Sequence, residues 1–154
     1  MATTHPLPDT YSVKSSFAML FGDDTKAEVV NDAGSHDFSG VYVNDDDEPV
    51  AVLTCDYAFA AFSSAALSMI PPAGAQDAAQ KKQLSEIMAG NLYEVMNICS
   101  RWFMDDSSPH LRLKEVLTGE IPDELQSALD GDGKLFMDVT VPRYGTGKIC
   151  CLAL

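Results

Sequence analysis

The sequence predicts an α+β domain in which helices pack against an antiparallel sheet, and three observations support this class. The chain has 154 residues, which suits one domain with a single core. Apolar residues make up 46% and charged residues 21%, a composition typical of globular and not of disordered chains. Strand-like segments also follow one another through turn sequences, without the strand-helix alternation of a parallel sheet.

Helices are expected where an aspartate precedes an apolar stretch, because its carboxylate caps the first free backbone amides. Residues 1–8 are predicted to be a flexible arm, and residues 9–154 a single domain. The two candidate caps are Asp9, for a helix ending near Gly22, and Asp56, for an Ala-rich helix through about Met69. A Pro-Pro-Ala-Gly break then precedes a long helix expected over residues 75–104.

Six segments are expected to be strands, because they carry the β-branched and aromatic residues that favour sheets. They are residues 27–31, 38–44, 50–54, 111–117, 135–141 and 148–154. Residues 44–49 have the composition of a hairpin turn, and residues 144–147 that of a second one. A short capped turn of helix is expected at residues 122–125.

The charge of the chain excludes two classes of partner. With 23 acidic and 10 basic residues, the formal net charge is −13, and the bases form no cluster. Nucleic acids and anionic membranes bind through lysine and arginine, so neither is an expected partner. The N-terminus has no secretory signal, and no apolar run reaches the ~18 residues that span a bilayer, so a cytoplasmic location is expected.

The sequence contains no convincing metal or nucleophile motif. The cysteines are expected to be buried hydrophobes, because none belongs to a C-x-x-C pair; they are Cys55, Cys99, Cys150 and Cys151. The acidic runs at 45–48 and 130–133 lack the pattern of a calcium loop and are expected to be turns. The run at 145–148 lacks the context of a phosphate loop, so a β-turn is again expected.

The long helix carries the most informative pattern. At about 100° per residue, a narrow apolar sector faces the core; it contains Leu84, Met88, Val95, Cys99 and Trp102. A second stripe lies on a different side of the helix from the apolar sector and contains Gly90, Glu94, Asn97 and Arg101. Glu94 and Asn97 are three residues apart, so their side chains are neighbours. Together they form a platform that suits gripping a partner cation and orienting a water molecule.

The order of elements, with the tract GNLYEVMNICSRWF on this helix, resembles the CheC/CheX/FliY family of chemotaxis phosphatases. The resemblance extends to FSGVYVNDDDEPVAVLTCD as a preceding hairpin and to LFMDVTVPRYGTGKICCLAL as closing strands, from about Phe17 onward. A single such helix in a chain of this length looks more like CheX than like the two-motif CheC.

The resemblance implies a phosphatase that acts on the phosphoaspartate of a response-regulator receiver domain. Asn97 would orient the attacking water, and Glu94 would pair with a receiver lysine. No cofactor of the chain's own is implied, since Mg²⁺ would be carried by the receiver. The resemblance and the apolar strand that ends the chain also imply a homodimer formed through strands.

Two departures from the family pattern keep a second function open. Gly90 stands where the family usually has Asp or Ser, and Arg101 stands where a small residue is typical. These residues are expected to contact the partner, and they favour a non-catalytic, partner-binding member as the alternative. A second alignment frame, through SEIMAGN, puts Glu86 at the asparagine position. An unrelated α+β protein whose acidic turns bind a cation is the third reading.

Overall fold

The computed structural model describes residues 5–32 and 34–154, and it has the predicted architecture. Six antiparallel strands form one sheet in the order β1-β5-β6-β3-β2-β4. The strands are β1 (Lys26–Val30), β2 (Phe38–Val43), β3 (Pro49–Cys55), β4 (Arg112–Thr118), β5 (Lys134–Val141) and β6 (Gly145–Ala153). The helices are α1 (Thr10–Phe21), α2 (Tyr57–Leu67), α3 (Pro72–Lys81), α4 (Glu86–Ile98) and α5 (Asp123–Gln126).

Both predicted aspartate caps are confirmed. The Asp9 carboxylate accepts a hydrogen bond from the Ser12 amide at 2.7 Å, and the Asp56 carboxylate accepts one from Phe59 at 2.8 Å. Asp56 also accepts from the Lys148 amide at 3.1 Å, so one side chain fixes α2 to strand β6. Two predicted helix starts are thus set by short-range chemistry that the sequence displays.

The prediction of one long helix over residues 75–104 is wrong. The helix α3 ends at Lys81, the next residue Lys82 has a left-handed backbone, and a separate helix α4 begins after Ser85, its N-cap. After Ile98 the chain tightens into a 3-10 turn, Cys99–Phe103. The residues around Lys82 favour helix and include no Gly or Pro, so local propensity indicates no break.

The sheet has one heavily packed face, and α1, α2 and α4 cover it. Its core includes the fully buried side chains of Phe17, Tyr42, Phe59, Leu92 and Phe103. The predicted hairpin at residues 44–49 is confirmed, since β2 and β3 pair antiparallel across it. On the opposite face, α5 and the residues after it cover a smaller cluster that includes Val52 and Leu152.

The closing strand does not lie at an edge of the sheet, as the expected pairing with a second copy would require. Strand β6 is in the interior of the sheet, hydrogen-bonded to β5 on one side and to β3 on the other. The edges are β1 and β4, which carry exposed charged residues along much of their length. Strand pairing through the closing strand is therefore not available to a second copy.

The cysteines behave as the sequence predicts. All four are free and buried. The neighbours Cys150 and Cys151 lie in different clusters, one on each face of the sheet, as strand alternation requires. Burial raises the pKa of the Cys151 thiol well above its ordinary value, so this side chain stays protonated and apolar.

The turn predictions need one correction. The acidic hairpin turn is confirmed, and the carboxylate of Asp47 is held by Arg112 and Lys114 at 2.8 Å each. The second hairpin turns at residues 142–144, so the expected loop at 144–147 belongs mostly to β6. Gly147 is required there because an added Cβ would lie 2.4 Å from the Cα of Phe59 in α2.

The described part of the predicted arm lies against the domain. His5 is buried, and its Nδ1 lies 2.8 Å from the carbonyl oxygen of Phe103. Residues 1–4 and 33 lie outside the described residues. Across the residues described, no helix has the length and apolar character needed to cross a bilayer.

Candidate functional site

The helix α4 is fixed to the sheet by close packing and one buried hydrogen bond. Met88, Leu92, Val95 and Met96 are buried along its inner side. The Tyr42 hydroxyl donates to the Met96 carbonyl at 2.6 Å, and burial raises the pKa of this phenol well above its usual value, so it remains a donor. Gly40 permits the close approach, because a Cβ there would lie 2.8 Å from the Met96 sulfur.

A second anchor joins α4 to α2 through Asn91. Its Nδ2 donates to the Ser64 carbonyl at 2.9 Å and to the Ser68 hydroxyl at 2.7 Å. The sequence does not indicate this role, since the partners of Asn91 lie 27 and 23 positions away. The sequence of α4 contains two asparagines, and only the packing of α2 on α4 distinguishes Asn91 from Asn97.

Glu94 and Asn97 are both exposed on the outer side of α4, as predicted. Among the described residues, neither side chain has a hydrogen-bond partner or an ion pair. Their outward-facing polar groups are therefore available to a second molecule. A carboxylate and a carboxamide stand on a helix that the core holds in place on its other side.

Gly90 lies one turn earlier on the same helix and is exposed. A Cβ built on it would have no heavy atom within 4 Å, so the position is open and not a packing requirement. The alternative alignment frame, which puts Glu86 at the asparagine position, does not place its two site residues on one helix. The partner of Glu86, three residues earlier, would be Gln83, which lies in the connection before α4.

Arg101 is not on α4, because the chain has changed to the 3-10 turn before it. With 3.0 instead of 3.6 residues per turn, this winding rotates Arg101 by about 60° relative to a continued α-helix. Its neighbour Trp102 is buried, and the indole Nε1 donates to the Ser16 hydroxyl of α1 at 2.9 Å. This bond ties the turn to α1 and leaves Arg101 exposed beside it.

The structure brings Asn97 and Arg101 together at one groove between α1 and α4, which we call the α1–α4 groove. Its volume is about 470 Å³, and it is lined by Ser16, Met19, Leu20, Asn97, Ile98, Ser100 and Arg101. Met19 is 89% exposed and Ile98 is 37% exposed, so the groove also presents apolar surface. Glu94 and Gly90 stand outside this lining, further along α4.

The lining of the α1–α4 groove contains one cation and no acid. That cation, Arg101, has no ion pair among the residues described. Other basic side chains do form ion pairs with aspartates, as Lys148 does with Asp138 at 2.8 Å and Asp32 at 3.2 Å. Arg101 also borders a second pocket, whose lining includes Asp9 and Asp105. Within the described ranges, no three His, Cys, Asp or Glu side chains cluster as metal ligands.

No protein-family model matches the chain, and no curated protein matches it in sequence. Solved structures do match. A chain of the FliM–SpeE complex from H. pylori has a TM-score of 0.65 at 9% identity, covering 94% of this chain and 80% of that chain. The FliM middle domain from H. pylori has a TM-score of 0.59 at 9% identity, with coverage of 94% and 84%.

A chemotactic CheC-like protein from Shewanella oneidensis also matches, with a TM-score of 0.46 at 17% identity and coverage of 93% and 91%. At these identities the comparisons concern the arrangement of helices and strands. The α+β architecture expected from the sequence resemblance is confirmed as a fold, and the chain has the fold of the FliM middle domain.

Proposed function

We propose that this chain serves chemotaxis signalling by hydrolysing the aspartyl phosphate of a response-regulator receiver domain. The observation that carries the proposal is the exposed Asn97, which has no partner among the described residues and stands beside Glu94 on an anchored helix. Phosphoryl transfer needs mainly positioning and charge stabilisation, so a chain without a nucleophile of its own is suited to it.

In this mechanism the Asn97 carboxamide holds a water molecule in line with the phosphorus. The water oxygen forms a bond to phosphorus while the bond between phosphorus and the aspartate oxygen breaks, and the electron pair leaves with the receiver carboxylate. Both water protons depart with the phosphate, which then equilibrates with solvent. Glu94 pairs with a receiver lysine and sets the register of docking. The proposal assigns no cofactor to this chain, and Mg²⁺ would be held by the receiver.

The rigidity of α4 supports this division of roles. The Tyr42 hydroxyl and the Asn91 amide hold the helix from two sides, through Met96 and Ser64. A water-positioning group must stay within a fraction of an ångström of its place, and a side chain on an anchored helix meets that need better than one on a loop.

The second candidate function is partner binding without catalysis. One match above a TM-score of 0.5 is a FliM–SpeE complex, so a protein of this fold is seen with a protein partner. Gly90 and Arg101 depart from the phosphatase pattern, and both would lie at the contact. Under this alternative the same face binds a receiver or another signalling protein and leaves its phosphate intact.

Timed release of phosphate from phosphorylated receivers separates the two functions. The catalytic proposal predicts that the wild-type chain accelerates release from at least one receiver of its organism and that Asn97→Ala does not. Binding of the chain to the same receivers, measured in parallel, tests the alternative of binding without catalysis. A receiver that binds tightly and loses phosphate at its intrinsic rate would replace the phosphatase with the binding function.

A further inference from the structure

We infer that Arg101 contacts the phosphoryl oxygens of the docked partner from the α1–α4 groove, on the flank of Asn97. This inference rests on the proposed function and adds a residue that the family pattern does not supply. Its starting point is the shared groove: Asn97 and Arg101 both line it, together with Met19 of α1 and Ile98 of α4.

The position of Arg101 is fixed by its neighbours. Trp102 is buried and bonded to Ser16, and Phe103 is buried with its carbonyl facing His5 at 2.8 Å. The backbone of Arg101 therefore has little freedom, although its side chain is exposed. A guanidinium on such a base loses less conformational entropy on binding than one on a free loop.

The charge of the site indicates an anionic occupant. The chain carries a net charge of −13, yet no acidic residue lines this groove and no described acid pairs with Arg101. Two acids, Asp9 and Asp105, line the second pocket that Arg101 borders, and neither forms an ion pair with it. A guanidinium offers five donors in a planar fork, which match the oxygens of a phosphoryl group two at a time. We assign the phosphoryl group as the occupant, because Asn97 at the same groove is the residue proposed to act on it.

The contact of Arg101 would stabilise the transition state of phosphoryl transfer more than it strengthens docking of the partner. Charge on the phosphoryl oxygens is spread as the bond to the aspartate lengthens, and a fixed cation stabilises that distribution. Once a partner covers the groove, the apolar side chains of Met19 and Ile98 would exclude bulk water beside the cation, which strengthens the interaction. Arg101 is then a charge-stabilising residue, and Asn97 remains the one that positions water.

The test compares Arg101→Ala, Arg101→Lys and a matched control, Lys14→Ala. The control removes an exposed cation from α1 at a residue that does not line the groove. The expected result is a turnover reduced about 10- to 100-fold for Arg101→Ala, the range of a charge-assisted hydrogen bond. Arg101→Lys should recover part of this loss, and Lys14→Ala should match the wild type.

A second measurement compares binding to the same receiver with and without beryllofluoride, a phosphoryl mimic. A purely structural role of Arg101 would not change the preference for the beryllofluoride form. The wild type should bind the beryllofluoride form more tightly, and Arg101→Ala should lose about 10-fold of that preference. Equal weakening toward both forms would overturn the phosphoryl contact, because it would show pairing with a partner carboxylate.

The outcomes also separate this inference from the proposed function. If Arg101→Ala or Arg101→Gly is as fast as the wild type, or faster, while Asn97→Ala is inactive, the role of Arg101 is overturned and the phosphatase stands. If the wild type accelerates no receiver, both are overturned. Circular dichroism of each variant checks that the fold is retained.

Discussion

The two asparagines of α4 make contrasting use of the same side chain. Asn91 faces α2, and its amide group donates to Ser64 and Ser68. Asn97, six residues further along, is exposed and has no hydrogen-bond partner among the described residues. On the α2-facing side of the helix the asparagine side chain forms hydrogen bonds within the fold, whereas on the solvent-facing side it forms none among the described residues.

This contrast separates the polar groups of α4 that stabilise the fold from those available for function. A polar group that is satisfied inside the chain contributes to stability, and its removal leaves an unpaired partner. A polar group held on a rigid element without a partner contributes little to stability and is available for a second molecule. Stability and activity should therefore respond in opposite ways to changes on the two sides of α4.

The largest expected effect is on activity, at Asn97. We predict that Asn97→Ala lowers the turnover of the receiver by about 100-fold or more, the scale of removing a positioned transition-state donor. The free energy of unfolding should be unchanged or slightly higher, because alanine favours an exposed helix position. Turnover by phosphate release and unfolding by urea measure the two quantities.

Asn91→Ala should give the reverse pattern. Two hydrogen bonds are lost and the Ser64 carbonyl loses a donor, so we expect a destabilisation of about 1–2 kcal/mol after the gain in helix propensity. In a domain of this size the midpoint of thermal unfolding should fall by roughly 2–4 °C per kcal/mol. Calorimetry measures the shift. A midpoint equal to that of the wild type would contradict the role of this anchor.

Glu94→Ala should weaken docking without affecting the chemical step. We expect the KM for the receiver to rise about fivefold at low salt, with turnover at saturation retained. The effect should shrink as salt rises, because screening weakens the pair. Glu86→Ala, which removes the same charge from the first turn of α4, is the matched control. If Glu86→Ala had the larger effect, the alignment frame through SEIMAGN would be the correct one.

The smallest expected effect is a gain in stability at Gly90. A Cβ there meets no heavy atom within 4 Å, so Gly90→Ala should stabilise the helix by about 0.5–1 kcal/mol. Urea unfolding measures the gain. Gly147→Ala is the contrasting control, since its Cβ would lie 2.3 Å from the Phe59 amide nitrogen and should destabilise the fold. Destabilisation by Gly90→Ala would show that the solvent-facing side of α4 is packed.

Features set by neighbouring residues could be predicted from the sequence. The caps Asp9 and Asp56 act within three residues, and the β2–β3 hairpin turns over a local acidic run. The outward stripe of Glu94 and Asn97 follows from helical periodicity alone. The break at Lys82 was missed, because a left-handed lysine and a serine cap leave only a faint local signal.

Features that depend on distant contacts could not be predicted in this way. The position of β6 inside the sheet depends on pairing with β3 and β5 together, which its own composition does not reveal. Predicting the Asn91 anchor would require knowing that α2 packs beside α4. Predicting the groove at Arg101 would require knowing that α1 packs beside the 3-10 turn. Those contacts join residues 23 to 86 positions apart.

Of the two asparagines of α4, we propose that the exposed Asn97, and not the hydrogen-bonded Asn91, acts on a phosphorylated receiver. The most direct test is the rate of phosphate release at saturating receiver for the wild type, Asn97→Ala and Asn91→Ala, below the unfolding temperature of each. We predict that Asn91→Ala stays within about twofold of the wild type, while Asn97→Ala falls to the intrinsic rate of the receiver. Equal rates for Asn97→Ala and the wild type, or loss of turnover only in Asn91→Ala, would contradict it.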